Sequence, residues 1–127
     1  MTLYTPQTGR TVWYYDNWPA TPNATPGAAV SSSTTANTEG SWVQVASATN
    51  IANDVDGFHL MIHGYSAATN TRTALVDVGV DPAGGTSYTE LISDILVGGV
   101  PTGTSNTLEM FFPIKIKKGS TVAVRQL

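Results

Sequence analysis

Ala74-Leu75-Val76-Asp77-Val78-Gly79-Val80-Asp81-Pro82-Ala83-Gly84-Gly85 reads as a strand followed by a tight turn. Ala74, Val76, Val78 and Val80 fall on every second position, with Leu75, Asp77 and Asp81 on the other side. Successive side chains of a strand point to opposite faces, so this spacing makes one apolar face and one mixed face. Asp77 is expected on a solvent-facing polar side. Asp81 opens the turn: its carboxylate can accept local backbone N–H groups, Pro82 presets φ, and Gly84-Gly85 permits the reversal.

The same period recurs on both sides. Upstream, Phe58, Leu60 and Ile62 face one way while His59, Met61 and His63 face the other. Residues 41–46 also alternate, with Trp42 near the start. Downstream, Leu91, Ile92, Ile95 and Leu96 are spaced i, i+1, i+4, i+5, which fits a strand or one or two helical turns. Gly98-Gly99 stops that segment. Residues 110–117 and 121–126 flank Lys118-Gly119, which reads as a hairpin. Pro113 marks the first of these two as an edge strand or a bulge. The last strand runs to within a residue or two of Leu127.

Six or so strands thus recur every ten to fifteen residues with no long helical pattern between them. The expected class is all-β, an antiparallel β-sandwich of jelly-roll or Greek-key type with an extended N-terminal arm. The composition agrees. The 127 residues (13.4 kDa) suit one domain. Charged residues are only 12%, about half the usual ~25%. Thr (19), Gly (12), Ser (10) and Pro (7) favour strands and turns over helices. Net charge of -3 and pI near 5.0 argue against non-specific binding to nucleic acid or anionic membranes. With no Cys there is no disulfide framework, thiol nucleophile or Cys-based metal site. Residues 1–15 show neither a basic n-region nor an apolar h-region, and no apolar run is long enough to span a membrane.

Residues 1–38 differ from residues 39–127. The first stretch holds two charges, Arg10 and Asp16, four prolines, and the run from Ser31 to Thr35. Pro19, Pro22 and Pro26 exclude a helix or central strand over residues 17–27. Yet Trp13, Tyr14, Tyr15 and Trp18 crowd six positions. Each buries on the order of 150–250 Å² when covered. The arm is therefore expected to dock on its own body, a sister subunit or a partner, with sugar binding as the alternative use of such rings.

No constellation of catalytic residues stands out. His59 and His63 would share a metal on a helix, but on a strand positions four apart lie ~13 Å apart. Asn53, Asp54, Asp56 and Gly57 cluster oxygens as a calcium loop does, without its distal Glu; an Asx-stabilised turn is the plainer use. Asp77 and Asp81 are also ~13 Å apart along a strand, too far for a glycosidase pair. A polysaccharide-cleaving site would need Asp77, Glu90 or Asp94 to converge in the fold. Gly64-Tyr65-Ser66-Ala67-Ala68 lacks the last glycine of a nucleophile elbow, and both histidines precede Ser66. Asn23-Ala24-Thr25 matches a glycosylation sequon without a visible secretory signal. Lys115, Lys117 and Lys118, with Arg125 on the next strand, form the one basic cluster, read as an edge-strand solubility device or a contact for an acidic protein surface. No cofactor and no metal is expected, and the expected character is non-enzymatic.

Four segments stand out in order: Thr38-Glu39-Gly40-Ser41-Trp42, Arg72-Thr73-Ala74-Leu75-Val76-Asp77-Val78-Gly79-Val80, Leu91-Ile92-Ser93-Asp94-Ile95-Leu96-Val97-Gly98 and Phe112-Pro113-Ile114-Lys115-Ile116-Lys117-Lys118-Gly119. Together they resemble small structural proteins of tailed-bacteriophage particles. The resemblance covers roughly residues 38–127 and lies in the style and order of segments. It implies a β-sandwich in a virion: a capsid decoration (cement) protein on the outer capsid surface, or a tail-fibre module that recognises host glycans. It further implies a homotrimer partnered by the major capsid protein, with no catalytic residues. The residues expected to make contacts with partners are Trp13, Tyr14, Tyr15, Trp18, Lys115, Lys117 and Lys118.

Overall fold

A computed structural model describes residues 28–35, 37–65, 72–100 and 105–127. Six strands follow in order: β1 (Val43–Ala46), β2 (Phe58–Tyr65), β3 (Arg72–Asp81), β4 (Thr89–Val100), β5 (Ser105–Phe112) and β6 (Thr121–Gln126). Among the described residues there is no helix, hence none long and apolar enough to cross a membrane. One sheet has the order β1-β6-β3-β4 and the other pairs β2 with β5. Every strand pairing is antiparallel, and the pairs nest: β1 with β6, β2 with β5, β3 with β4. The architecture is all-β and consistent with a β-sandwich.

The alternation read from the sequence supplies the core. Val76, Val78, Ile95, Val97, Val122, Val124 and Ala46 are buried on the four-stranded sheet. Phe58, Leu60, Ile62, Leu108, Met110 and Phe112 of the two-stranded sheet pack against them. His59, Met61 and His63 stand on the outer face, exposed. β-branched valines suit this setting, because their stiff side chains pack on a pleated surface with little rotamer entropy to lose. The packing reaches back before residue 39: Val30 lies against the core, and Ser32 forms a parallel bridge with Gln126.

The turn after β3 forms as read. One Asp81 carboxylate oxygen accepts the Ala83 N–H and the other the Ser87 N–H, each at 2.9 Å. Gly84 takes φ of 77°. Leu127 exchanges both backbone hydrogen bonds with Leu75, so the C-terminal residues are paired in the sheet.

Two readings resolve or change. The i, i+1, i+4, i+5 spacing of Leu91–Leu96 belongs to a bulged strand, not a helical turn. Val78 faces Ile92 but Val76 faces Ile95, so β4 carries an extra residue. Asp94 sits there with φ of 57°. The inserted residue puts the alternation out of step, which is how a strand acquires helix-like spacing. The left-handed region disfavours β-branched side chains and tolerates Asp and Gly. Asp94→Val is therefore expected to lower stability by about 1–2 kcal/mol. Asp94→Gly should leave it essentially unchanged, both read from urea unfolding midpoints.

The second change concerns residues 110–126, which are not a hairpin. β5 pairs with β2 and β6 with β1 and β3, so the chain crosses between sheets after Phe112. Pro113 has no N–H to continue the ladder. In the crossing, Ile116 bridges Val55 and the Lys118 N–H donates to Asp54 Oδ1 at 2.8 Å. Gly119, with φ of 78°, and Ser120, whose hydroxyl donates to the Lys117 carbonyl at 2.6 Å, turn the chain into β6.

Candidate functional site: the outer faces of the sheets

The chemistry of the described residues gathers on the outer face of the four-stranded sheet, around Arg125. Arg125 on β6 lies opposite Asp77 on β3 in the ladder. Its Nε donates to Asp77 Oδ2 at 2.9 Å and its Nη2 to Glu90 Oε2 at 2.7 Å. Its Nη1 pairs with Glu39. The second oxygen of Asp77 accepts the backbone N–H of Asp94 at 2.9 Å, so the β4 bulge supplies a donor aimed at the cluster. The Trp42 ring lies over the guanidinium, 4.4 Å from its carbon to the ring centroid. Trp42 also leans on Tyr88, with centroids 5.7 Å apart, and the Tyr88 hydroxyl donates to Gln44 at 3.1 Å.

Gly79 makes the stacking possible. A Cβ on Gly79 would stand 2.7 Å from the Trp42 ring. Only a glycine lets the indole lie flat on the strand and reach Arg125 from above. Gly79 is the one residue of β3 without a side chain.

Asp77 is thus only 6% exposed, against the expectation of a solvent-facing carboxylate. The indole, the Arg125 stem and the neighbouring strands cover what alternation alone assigns to water. The acidic residues Asp77 and Glu90 do converge, and with Glu39 they bring carboxylate oxygens within 4.8 Å of one another. The cation they hold is Arg125 itself. Burial disfavours its charge and lowers its pKa. The hydrogen bond to Asp77 and the fields of Glu39, Asp77 and Glu90 outweigh that, so the net shift is upward. Arg125 carries its charge, as arginine ordinarily does in proteins. Its fork lies between the three carboxylates. The arrangement braces β1, β3, β4 and β6, with Glu39 tying in the segment before β1.

Arg125 accordingly does not belong to the lysine cluster. Lys115, Lys117 and Lys118 are exposed and sit in the crossing between β5 and β6, not on an edge strand.

The two-stranded sheet presents a different outer face. His59 Nδ1 lies 3.3 Å from Glu109, and its ring packs on Phe111 with centroids 4.9 Å apart. His63 Nδ1 meets the Thr107 hydroxyl at 3.0 Å. Each histidine is engaged with β5 rather than with the other. Met61 (66% exposed) and Phe111 (55%) are the large apolar side chains left to solvent there. On the four-stranded sheet, Leu96 (63%) and Leu127 (39%) are likewise exposed. Leu75 lies between them, facing Leu96 in the ladder and bonded to Leu127 through the backbone.

Of the turn at residues 53–57, Asp54 takes a structural part through Lys118. Trp13, Tyr14, Tyr15 and Trp18, the sequon and Ser66 lie outside the described residues. Compared with protein-family models, curated proteins and solved structures, the chain shows no match.

Sequence reasoning missed the Trp42–Arg125–Gly79 stack. The signals were present: Gly79 amid valines, and an arginine in an otherwise uncharged last strand. Neither reveals its partner, because Trp42, Gly79 and Arg125 are far apart in the chain and meet only through strand order.

Proposed function

We propose that this chain is a non-enzymatic virion structural protein, a capsid decoration (cement) protein of a tailed bacteriophage. It sits on the outer capsid surface as a homotrimer, bridges major capsid protein subunits, and uses its N-terminal arm for contacts between copies. One observation carries this reading. The polar groups that could have made a reactive centre are spent on bracing the sheet, while large apolar side chains remain uncovered on both outer faces. Chemistry needs poised, accessible titratable groups. Adhesion needs a rigid body with apolar surface to cover, and uncovered apolar patches mark interaction sites.

The nested strand pairing supports assigning the sandwich to the jelly-roll type, since rolling up one long hairpin brings the first strand to the last and the second to the fifth. The exposed lysines at 115, 117 and 118 suit an acidic rim on the capsid protein. The tail-fibre reading draws less support. The described indole, Trp42, is committed to Arg125 and Gly79 rather than offered to a sugar.

Removing residues 2–27 leaves every described contact of the body in place. The truncated protein is expected to fall from three copies to one by light scattering, and to be lost from capsids on washing. A truncated protein that stays trimeric and capsid-bound would refute the arm's role.

A further inference from the structure

We propose that the row Leu75–Leu96–Leu127, on the outer face of the four-stranded sheet, is the seat of the aromatic segment Trp13–Trp18 from a neighbouring copy. This rests on the homotrimer reading above and names the surface that would make it. The three leucines come from neighbouring strands: Leu75 is opposite Leu96 and exchanges backbone hydrogen bonds with Leu127. They share one face and form a continuous apolar stripe across β6, β3 and β4, about 10 Å from end to end at the usual strand spacing. The next row along the same face is Asp77 with Arg125. The stripe is thus bounded on one side by the braced charge cluster, and its middle member is already half-buried.

Three observations choose the occupant. First, residues 1–27 lie outside the described chain and hold Trp13, Tyr14, Tyr15 and Trp18 with only two charges. Second, near the start of the described chain, Ser32 bridges Gln126 beside Leu127. That bridge is parallel, so from Ser32 back to Ala28 the chain runs toward the start of β6, away from its own Leu127. Third, ten residues separate Trp18 from Ala28, at most ~33–36 Å extended. A body of this size has a radius of gyration near ~13 Å, so the segment reaches past its own edge. Four aromatic rings burying on the order of 150–250 Å² each bring roughly 600–1,000 Å² to the contact, about half of the ~1,200–2,000 Å² of a stable interface. The Met61–Phe111 patch fits less well. Phe111 already carries the His59 ring, and the His59–Glu109 contact borders it.

The test places the photo-crosslinker benzoylphenylalanine at position 96 of the full chain. Leu96 is exposed, so the body keeps its fold. Equal amounts of light and nitrogen-15-labelled protein are mixed, unfolded, refolded together and irradiated, and the linked peptides are identified by mass spectrometry. Crosslinks from position 96 to residues 13–18, with mixed-isotope pairs, are the expected result. Crosslinks to residues 13–18 confined to a single isotope would overturn the exchange between copies. A trimer whose position 96 links elsewhere, or not at all, overturns the seat while leaving the trimer standing. A monomer overturns both.

Discussion

Replacing Arg125 with alanine is expected to lower the unfolding free energy by about 3 kcal/mol, more than any other single charged residue among those described. The reason is the company it keeps. Asp77 is buried and hydrogen-bonded, and Glu39 and Glu90 converge on the same guanidinium. Removing one partner of a buried pair typically costs about 3–5 kcal/mol, because the other charge stays in a poor environment. Here Glu39 and Glu90 can turn to solvent, which places the value at the low end. Arg125→Lys keeps the charge but loses the planar fork that serves three carboxylates at once, so it should recover less than half of the loss. The double variant Arg125→Met with Asp77→Leu should be more stable than Arg125→Met alone, since it no longer buries an unpaired carboxylate. Urea unfolding of these four variants beside the wild type measures this. If Arg125→Ala is within about 0.5 kcal/mol of wild type, the brace is ornamental.

The linkage with pH has a definite sign. The folded pKa of Arg125 lies above its ordinary value. The stability it contributes through that shift is therefore fully present below the ordinary arginine pKa and is lost only as pH rises through the folded one. Across neutral and mildly alkaline solution this contribution is constant. A stability loss there in the wild-type protein must come from another group.

Gly79→Val is expected to cost about 2–4 kcal/mol for a different reason. A Cβ at this position would stand 2.7–2.8 Å from Trp42 ring carbons. The indole must lift off β3. Overpacking of this kind costs about 1–3 kcal/mol. Lifting the ring also breaks its stacking on Arg125, worth roughly 0.5–2 kcal/mol depending on desolvation. Because both losses pass through one ring, the effects are not additive. Gly79→Val in a Trp42→Ala background should cost less than half of what it costs alone. An equal cost in both backgrounds would mean that valine disturbs the strand itself, not the stack.

These two experiments probe what alternation in the sequence leaves hidden. Val76, Val78, Phe58, Leu60 and Ile62 announce an inner face because burying them dominates their free energy, and period two is the geometry of a strand. The Asp81 turn is equally local: acceptor, proline and glycines act within a few residues. The bulge at Asp94 was half legible. The broken spacing of Leu91–Leu96 was visible, but which element it broke depended on the strand opposite.

What the chain alone determined, then, is the all-β class, the buried faces of β2 and β3, and the turn after β3, since each depends on neighbours in sequence; β5 begins five residues before the strand read at residues 110–117. The tertiary structure alone decided that β6 lies between β1 and β3 instead of returning beside β5. That order sets Arg125 between Asp77, Glu90 and Glu39 beneath Trp42, and turns an outward-facing aspartate into a buried one. It also aligns Leu75, Leu96 and Leu127 in one stripe. Charges and rings carry no period of their own. Their meaning is set by the groups within a few ångströms, and only strand order brings those groups together.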